Sequence, residues 1–201
     1  MNALIDAIGA VAVGGMLLLS VMSGMYNIQV YSHNTKLQST ITTTSEIAAT
    51  ALQDRYLSAL GLIPSGLLSS IDPDSLIVAA TTKTLQFYAE IDGAVQLVSI
   101  QQGTINGAGM YPLTVQVGGN MDFGPYNTSI EHIFNFFDEN NNAIAFVSNS
   151  IPAGNLDDIR SVRVDISFAL QGLSQLTGGN RNLMNKIVFW QYFKNIYLLQ
   201  A

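Results

Sequence analysis

The first 30 residues constrain this chain more than any other part of it, because they carry almost no charge. They read MNALIDAIGAVAVGGMLLLSVMSGMYNIQV, and the nineteen residues from Ala7 to Met25 include no charged side chain. A helix of that length is about 28 Å long, which matches the hydrocarbon thickness of a bilayer. The segment therefore predicts a helix that lies in a membrane or among other apolar helices.

A secretory signal peptide is the alternative interpretation of such a segment. Signal peptides begin with a basic region, whereas Asp6 is the only formally charged side chain before Lys36. The apolar run also leads into further sequence that is compatible with a helix. We therefore expect a retained anchor, with the chain that follows it outside the membrane.

Residues 26–60 predict an amphipathic continuation of the same helix, which Gly61, Pro64 and Gly66 are expected to end. The whole helix would have about 55 residues, more than a small head could bury. We expect its outer half to pack on a globular head and its inner half to lie in lipid or among copies of itself. The apolar positions that recur at helical spacing are Leu37, Ile41, Ala48, Leu52 and Tyr56.

After Pro64 the sequence alternates between apolar and polar residues, which is typical of strands. Asp92-Gly93 is a tight-turn signal and predicts a hairpin with arms at 85–91 and 94–100. A second hairpin is predicted around the acidic turn at 138–142. Its arms would be residues 133–137 and 143–147, and further strands are predicted at 113–117, closed by Gly118-Gly119, and at 161–168, 186–193 and 195–199.

The predicted fold class is therefore α+β, with a long N-terminal hydrophobic α-helix followed by a head dominated by antiparallel β-sheet. Residues 1–60 would form the helix, of which 1–25 are the anchor and 26–60 the half that packs on the head. Residues 61–201 would form the β-rich globular head.

Two motifs give the chain its resemblance to a known family. The first is Leu4-Ile5-Asp6 in the apolar helix, where Asp6 is fifth if counting starts at Asn2. The second is an aromatic strand, an acidic turn and then the strand Ile159-Arg160-Ser161-Val162-Arg163-Val164-Asp165-Ile166. Together with the order helix, loop, antiparallel sheet, these motifs resemble the type IV pilins and the larger minor pseudopilins of type II secretion.

The resemblance implies a filament subunit in which Asp6 neutralises the α-amino group of an adjacent subunit. The residues alone allow another role, in which Asp6 lies in the headgroup layer or helps to cap the helix start. Gly14-Gly15 also has two interpretations, as a point where neighbouring helices approach closely or as a soft spot that stretches on assembly. These three residues are the predicted assembly residues.

The chain departs from the family pattern at its start. The acid is aspartate rather than glutamate, residue 2 is asparagine, and no basic leader that ends in glycine precedes the helix. We expect either a mature form from which a leader has been removed or a divergent system that is processed differently.

Composition excludes several classes of function. Charged residues make up 11% of the chain, the net charge is −6, and the eight Lys and Arg residues form no cluster. Nucleic-acid binding is therefore not expected. The chain has no cysteine and only two histidines, so thiol chemistry, cysteine-based metal sites and histidine-based catalysis are poorly supplied. We expect no enzyme and no cofactor.

Two further candidate sites remain in the predicted head. Asp138, Glu139 and Asn140 offer clustered oxygen ligands that suit Ca²⁺, although they lack the EF-hand spacing, and a solvated turn is the alternative. Asn127-Thr128-Ser129 fits the acceptor pattern for N-glycosylation.

The aromatic residues near the C-terminus favour core or subunit contacts over a ligand-stacking face; they are Phe189, Trp190, Tyr192, Phe193 and Tyr197.

The function expected from these features is a structural subunit of an extracellular pilus-like filament. Its partners would be copies of itself, an inner membrane before assembly, and an assembly machinery. Two alternatives stay open, namely a minor or priming pseudopilin of a secretion or pilus machine and a membrane-tethered binding domain.

Overall fold

The computed structural model describes residues 2–60, 76–173 and 180–193. It contains one long helix followed by an antiparallel sheet of eight strands, as the α+β class predicts. The helix α1 spans Asn2–Thr50, continues as a wider π-helical segment, Ala51–Tyr56, and ends in a 3₁₀ turn, Leu57–Ala59. The predicted stop residues Gly61, Pro64 and Gly66 lie outside the described residues.

The eight strands are numbered in chain order. They are β1 Ile77–Ala80, β2 Thr84–Ile91, β3 Ala94–Gln102, β4 Tyr111–Val117, β5 Asn120–Thr128, β6 Phe134–Phe137, β7 Ser161–Leu173 and β8 Asn180–Tyr192. Neighbouring strands follow the order β1-β2-β3-β4-β5-β7-β6, and β8 also pairs with β7. A short 3₁₀ turn at Ala153–Asn155 precedes β7.

The predicted hairpin of β2 and β3 is confirmed. Its strands pair from Thr84 opposite Gln101 to Ile91 opposite Ala94. Asp92 and Gly93 have φ angles of 53° and 81°, and two successive positive φ values form the type I′ turn that suits the twist of a hairpin. The alternation of the sequence also holds, because every second side chain of β2, from Leu85 onwards, is buried.

The region after the acidic turn differs from the prediction. The turn forms, with the Asp138 amide donating to the Asn142 carbonyl, but residues 143–147 are not a regular strand. This segment pairs with β6 through one bridge, between Phe137 and Ala143, and through one hydrogen bond from the Ile144 amide. Its pairing with β6 ends there. The chain then turns away, and residues 149–151 hydrogen-bond to the end of β1 instead. The ladder partner of β6 is β7.

Strand β5 was not expected from the sequence. Gly118 and Gly119 do more than close β4, because their positive φ angles form the turn into β5. The strand contains Gly124-Pro125, a pair that normally argues against a strand. Gly124 has a φ of 93°, and a Cβ atom there would lie 2.5 Å from the Leu113 carbonyl oxygen, so only glycine fits between the strands.

The strands predicted at 113–117, 161–168 and 186–193 are present in β4, β7 and β8, and the segment 195–199 lies outside the described residues.

The described residues form two compact units by their contacts. One comprises residues 2–40, 170–173 and 180–183, and the other comprises residues 41–60, 76–169 and 184–193. The second unit holds most of the core, and its largest fully buried side chains include Tyr56, Phe87, Phe134, Phe136 and Phe193. A long apolar helix followed by an antiparallel sheet is compatible with a pilin-like fold.

Candidate functional site

The most unusual surface of the molecule is the first half of α1. Every residue from Ala3 to Gln29 is exposed, and the large apolar side chains between Leu4 and Tyr31 are 50–76% exposed, apart from buried Val30. These side chains lie on all faces of the helix, unlike the single stripe of a surface helix in a water-soluble domain. An exposed apolar surface of this extent marks a site of contact with lipid or with other protein chains.

The same segment satisfies the length and hydropathy of a membrane span. Its most apolar window of 18 residues has a mean hydropathy of 2.1, and none of that window is buried. By length and composition, α1 is the one helix among the described residues that is long and apolar enough to cross a membrane. This length and composition favour membrane association through α1.

Asp6 lies near the start of this apolar surface. It is exposed, and among the described residues it has no hydrogen-bond or ion-pair partner. The next charged side chain along the helix is Lys36. A carboxylate in lipid or in an apolar bundle is costly unless a donor or a positive charge accompanies it. Within the described part of the chain no such group is available, so compensation has to come from headgroups, water or another molecule.

The glycines of α1 are not required by the helix itself. The helix runs through Gly14 and Gly15 without a break, and a Cβ atom at Gly9, Gly14, Gly15 or Gly24 would meet nothing within 4 Å. Glycine is about 1 kcal/mol less favourable than alanine inside a helix. Neither conformation nor packing in the described residues offsets that cost. Both roles of Gly14-Gly15, close approach of neighbouring helices and a soft spot on assembly, stay predictions.

The outer part of the helix carries the predicted buried stripe. Its members Ile41, Ala48, Leu52 and Tyr56 are at most 2% exposed, whereas the predicted member Leu37 is half-buried. Ser45, which the sequence did not single out, is also buried in this stripe. Its hydroxyl accepts a hydrogen bond from the Asn185 amide of β8 and donates one of 2.8 Å to the Thr42 carbonyl. The stripe thus combines apolar packing with one buried polar contact to β8.

A charged cluster fixes the end of the helical segment to the sheet. The Tyr56 hydroxyl donates a hydrogen bond of 2.7 Å to Asp122 Oδ2 on β5. Arg55 Nη2 lies 3.2 Å from the same oxygen and 3.4 Å from Asp92 Oδ2 in the β2–β3 turn. Burial raises the pKa of Tyr56 well above its ordinary value, and the hydrogen bond to Asp122 adds to that effect. Nothing in the sequence indicated that Arg55, Asp92 and Asp122 meet, because these residues are remote from one another along the chain.

The candidate calcium ligands form a turn that is satisfied by its own hydrogen bonds. Asp138 Oδ1 accepts from the Asn140 and Asn142 amides at 2.9 and 2.8 Å, and Oδ2 accepts from the Asn142 side chain at 3.1 Å. Hydrogen bonds from Asn142 hold the pKa of Asp138 below its usual range. In the described ranges, no group of three or more acidic or histidine side chains is arranged to hold a metal ion. The geometry is that of an Asx turn.

Asn127 lies near the end of β5 and is exposed. Its side-chain oxygen accepts a hydrogen bond of 3.3 Å from the Asn106 amide. Thr128 beside it is buried, and its hydroxyl donates to the Tyr111 carbonyl at 2.8 Å. The acceptor asparagine is therefore accessible, but it is part of a strand rather than a free loop.

The C-terminal aromatic residues divide between core and surface. Phe193 is buried, whereas Trp190 and Tyr192 on β8 are 38% and 53% exposed. Phe189 is half-buried and Tyr197 lies outside the described residues. Exposed Trp190 is packed against Phe137 of β6, with ring centroids 4.5 Å apart.

No protein-family model, no curated protein and no solved structure matches the chain.

Proposed function

We propose that this chain is the structural subunit of an extracellular pilus-like filament, assembled through the apolar first half of α1. Before assembly, the same helix would hold the subunit in a membrane. The observation that carries the proposal is the complete exposure of residues 3–29 in a chain whose head has a well-packed core. The compatibility of the fold with a pilin-like architecture supports the same function.

An apolar helix of this kind is costly to leave in water. Burying one Leu, Ile, Val or Met side chain stabilises a structure by about 1.5–3 kcal/mol. Residues 3–29 present such side chains on every face, so one contact with a globular surface could not cover them. A bilayer covers all faces of a single helix, and a bundle of like helices does the same. A subunit that moves from a membrane into a filament exchanges one of these surroundings for the other.

Asp6 gives the bundle its axial register in this proposal. A helix that is apolar on all faces slides easily against its neighbours, because most positions bury similar side chains. A lone carboxylate makes one position better than the rest, since only there does it meet a positive group such as a neighbour's α-amino group. This role explains why a costly charge stands near the start of the helix without a partner among the described residues.

The glycines fit the same arrangement. Small residues allow helix backbones to approach closely in membranes and bundles. Gly14 and Gly15 lie within the apolar segment, and the space beside them is open in the subunit. A neighbouring helix would fill that space in the filament.

The decisive experiment substitutes Asp6→Ala in the producing cells. Filaments sheared from the surface are counted by negative-stain electron microscopy, and their subunit and its N-terminus are identified by mass spectrometry. We expect Asp6→Ala to stop or strongly slow assembly, with the protein retained in the membrane fraction. Glu46→Ala, which removes an exposed carboxylate farther along the same helix, is the matched control and should assemble normally.

The other outcomes distinguish the alternatives. Normal filaments of Asp6→Ala would remove the register role. Presence of the wild-type chain only at low abundance, in filaments made mainly of another protein, would indicate a minor or priming subunit. A wild-type chain that stays monomeric in the membrane, with no filament containing it, would indicate a tethered binding domain.

A further inference from the structure

The outward face of β8 is an exposed surface that the helix-based proposal does not use. From residue 183 to residue 192, half-buried and exposed side chains alternate strictly along the strand. Asn185, on the half-buried face, hydrogen-bonds to Ser45 of α1. The exposed face carries mainly apolar and aromatic side chains around one cation; they are Met184, Lys186, Val188, Trp190 and Tyr192.

Aromatic and charged neighbours extend this face across the sheet. The rings of Trp190 and Tyr192 are stacked with centroids 6.5 Å apart, and Phe137 of β6 contacts Trp190 at 4.5 Å. Asp165 of β7 lies 3.0 Å from Lys186 Nζ and 3.4 Å from Arg163 Nη2. Two cations share one carboxylate, so the face has an excess of positive charge, whereas the whole chain has a net charge of −6. We call this surface the β8 face.

A concave acidic surface borders the β8 face on the same unit, since Asp138 directly follows Phe137 and the Phe193 amide donates to the Arg160 carbonyl at 2.9 Å. A shallow cavity of about 420 Å³ is bordered by the acidic turn and by the segment before β7. Its wall includes three carboxylates and one guanidinium, an excess of negative charge, together with small apolar side chains; the residues are Asp138, Glu139, Asp158, Arg160, Ile144 and Ala145. We call this surface the acidic socket.

We propose that the β8 face of one copy binds the acidic socket of the next copy. The two surfaces are opposite in charge; the β8 face adds exposed apolar side chains, and the socket adds exposed Ala145 and half-buried Ile144. Trp, Tyr and Arg are the residues that contribute most to protein–protein binding, and the β8 face presents all three within one patch. Lys186 has three N–H donors, so it can keep its contact with Asp165 and still bind a carboxylate of the neighbour.

When the β8 face and the socket of one copy bind two different neighbours, the contact repeats from copy to copy; it ends only in a ring or in a reciprocal pair. Such heterologous contacts produce helical filaments. The inference rests on the proposed function, because its occupant is a second copy of this chain. It adds a named contact between heads to the bundle of helices.

Cysteine cross-linking tests this contact directly, because the chain has no cysteine of its own. The full-length variant with Lys186→Cys and Glu139→Cys should form disulfide-linked ladders of dimers, trimers and longer species when assembled material is oxidised. Each single variant should form far fewer linked species, because the contact pairs unlike surfaces. Lys186→Cys with Ala94→Cys is the matched control, since Ala94 is exposed at the start of β3 and outside both surfaces.

A separate variant at an exposed helix position, Val13→Cys, is prepared in parallel and reports on the helix bundle. Linked α1 helices without β8-to-socket ladders would overturn the head contact and leave the filament proposal standing. Ladders without helix cross-links would support the head contact and contradict the helical core. If neither link forms, both proposals are wrong.

Charge reversal provides a second test that does not depend on thiol geometry. Close charge pairs at interfaces contribute enough that reversing one partner weakens association about tenfold or more. We expect Lys186→Glu and Glu139→Lys each to lower the yield of filaments, and the double variant to recover most of it. A double variant as defective as the worse single one would overturn the pairing of these surfaces.

Discussion

The Tyr56 hydroxyl, at the end of the helical segment, donates a 2.7 Å hydrogen bond to Asp122 Oδ2 on β5. Tyr56 is completely buried, and the centroid of its ring lies 6.0 Å from the centroid of the Phe123 ring. Arg55 Nη2 contacts the same Asp122 oxygen at 3.2 Å and also lies 3.4 Å from Asp92 Oδ2. The end of the helical segment is therefore fixed to two separate parts of the sheet.

Substitution Tyr56→Phe should lower the free energy of unfolding by about 1.5 kcal/mol, the lower end for hydrogen bonds to charged groups, because Asp122 is partly exposed. The ring and its packing are retained, so the loss reports the hydrogen bond alone. Urea unfolding of the full chain in detergent measures it. Tyr88→Phe is the control, since the Tyr88 hydroxyl makes no hydrogen bond within the described residues. Equal losses in the two variants would contradict this role of Asp122.

Alkaline pH should weaken the head through the same tyrosine. An unfolded chain begins to release the Tyr56 proton near its ordinary pKa of about 10, whereas burial keeps the folded hydroxyl protonated to a higher pH. The unfolded state therefore binds fewer protons above that pH, and stability falls as the pH rises. Unfolding curves collected between about pH 8 and pH 11 should show a steeper loss for the wild type than for Tyr56→Phe.

Acid should weaken a different part of the sheet, around Glu131. Lys83 pairs with this carboxylate, and the Tyr111 hydroxyl donates to it at 3.3 Å. The hydrogen bond from Lys83 holds the pKa of Glu131 below its usual range. The resulting stability is present above about pH 4.3 and is lost as the pH falls through the lowered pKa. Glu131→Gln should therefore show a smaller drop in Tm from neutral to acid pH than the wild type, whereas Glu90→Gln should behave like the wild type.

Removal of residues 2–29 should leave the head folded, because none of the side chains described in that range is buried. We expect the free energy of unfolding to change by less than about 0.5 kcal/mol, the range of surface changes. The shortened chain should also dissolve without detergent and form no filaments. A shortening that removes residues 2–56 should abolish folding, because it deletes the buried stripe from Ile41 to Tyr56. Circular dichroism and urea unfolding of the two chains distinguish these results.

Substitution Gly15→Leu should leave the subunit intact and block the filament. The space around Gly15 is open in the subunit, so the larger side chain meets nothing there and the helix gains intrinsic stability. In a bundle, the same side chain would hold neighbouring backbones apart. Electron microscopy of sheared material measures the effect, and Val13→Leu on the same helix is the control. Normal filaments of Gly15→Leu would show that no close approach occurs at this glycine.

The hairpin of β2 and β3 could be predicted from the local sequence pattern, whereas the strand β5 could not. Asp92-Gly93 has only one common turn type available between alternating segments, so local sequence determined that hairpin. β5 contains Gly124-Pro125, and its place beside β4 depends on a Leu113 carbonyl that no local pattern reveals. The segment after the acidic turn has strand-like alternation, but hydrogen bonds from residues 149–151 to β1 compete with the hairpin.

The sequence by itself determined the apolar helix, its outer amphipathic stripe and the α+β class, because these depend on periodicity and on charge along the chain. The tertiary structure alone decided which charged groups meet. Arg55 and Tyr56 bind Asp122 across 66 residues or more, and Lys186 and Arg163 share Asp165 on the outward face of the sheet. Such contacts depend on how the strands are ordered and twisted in space. The pattern of residue types along the chain does not specify that order.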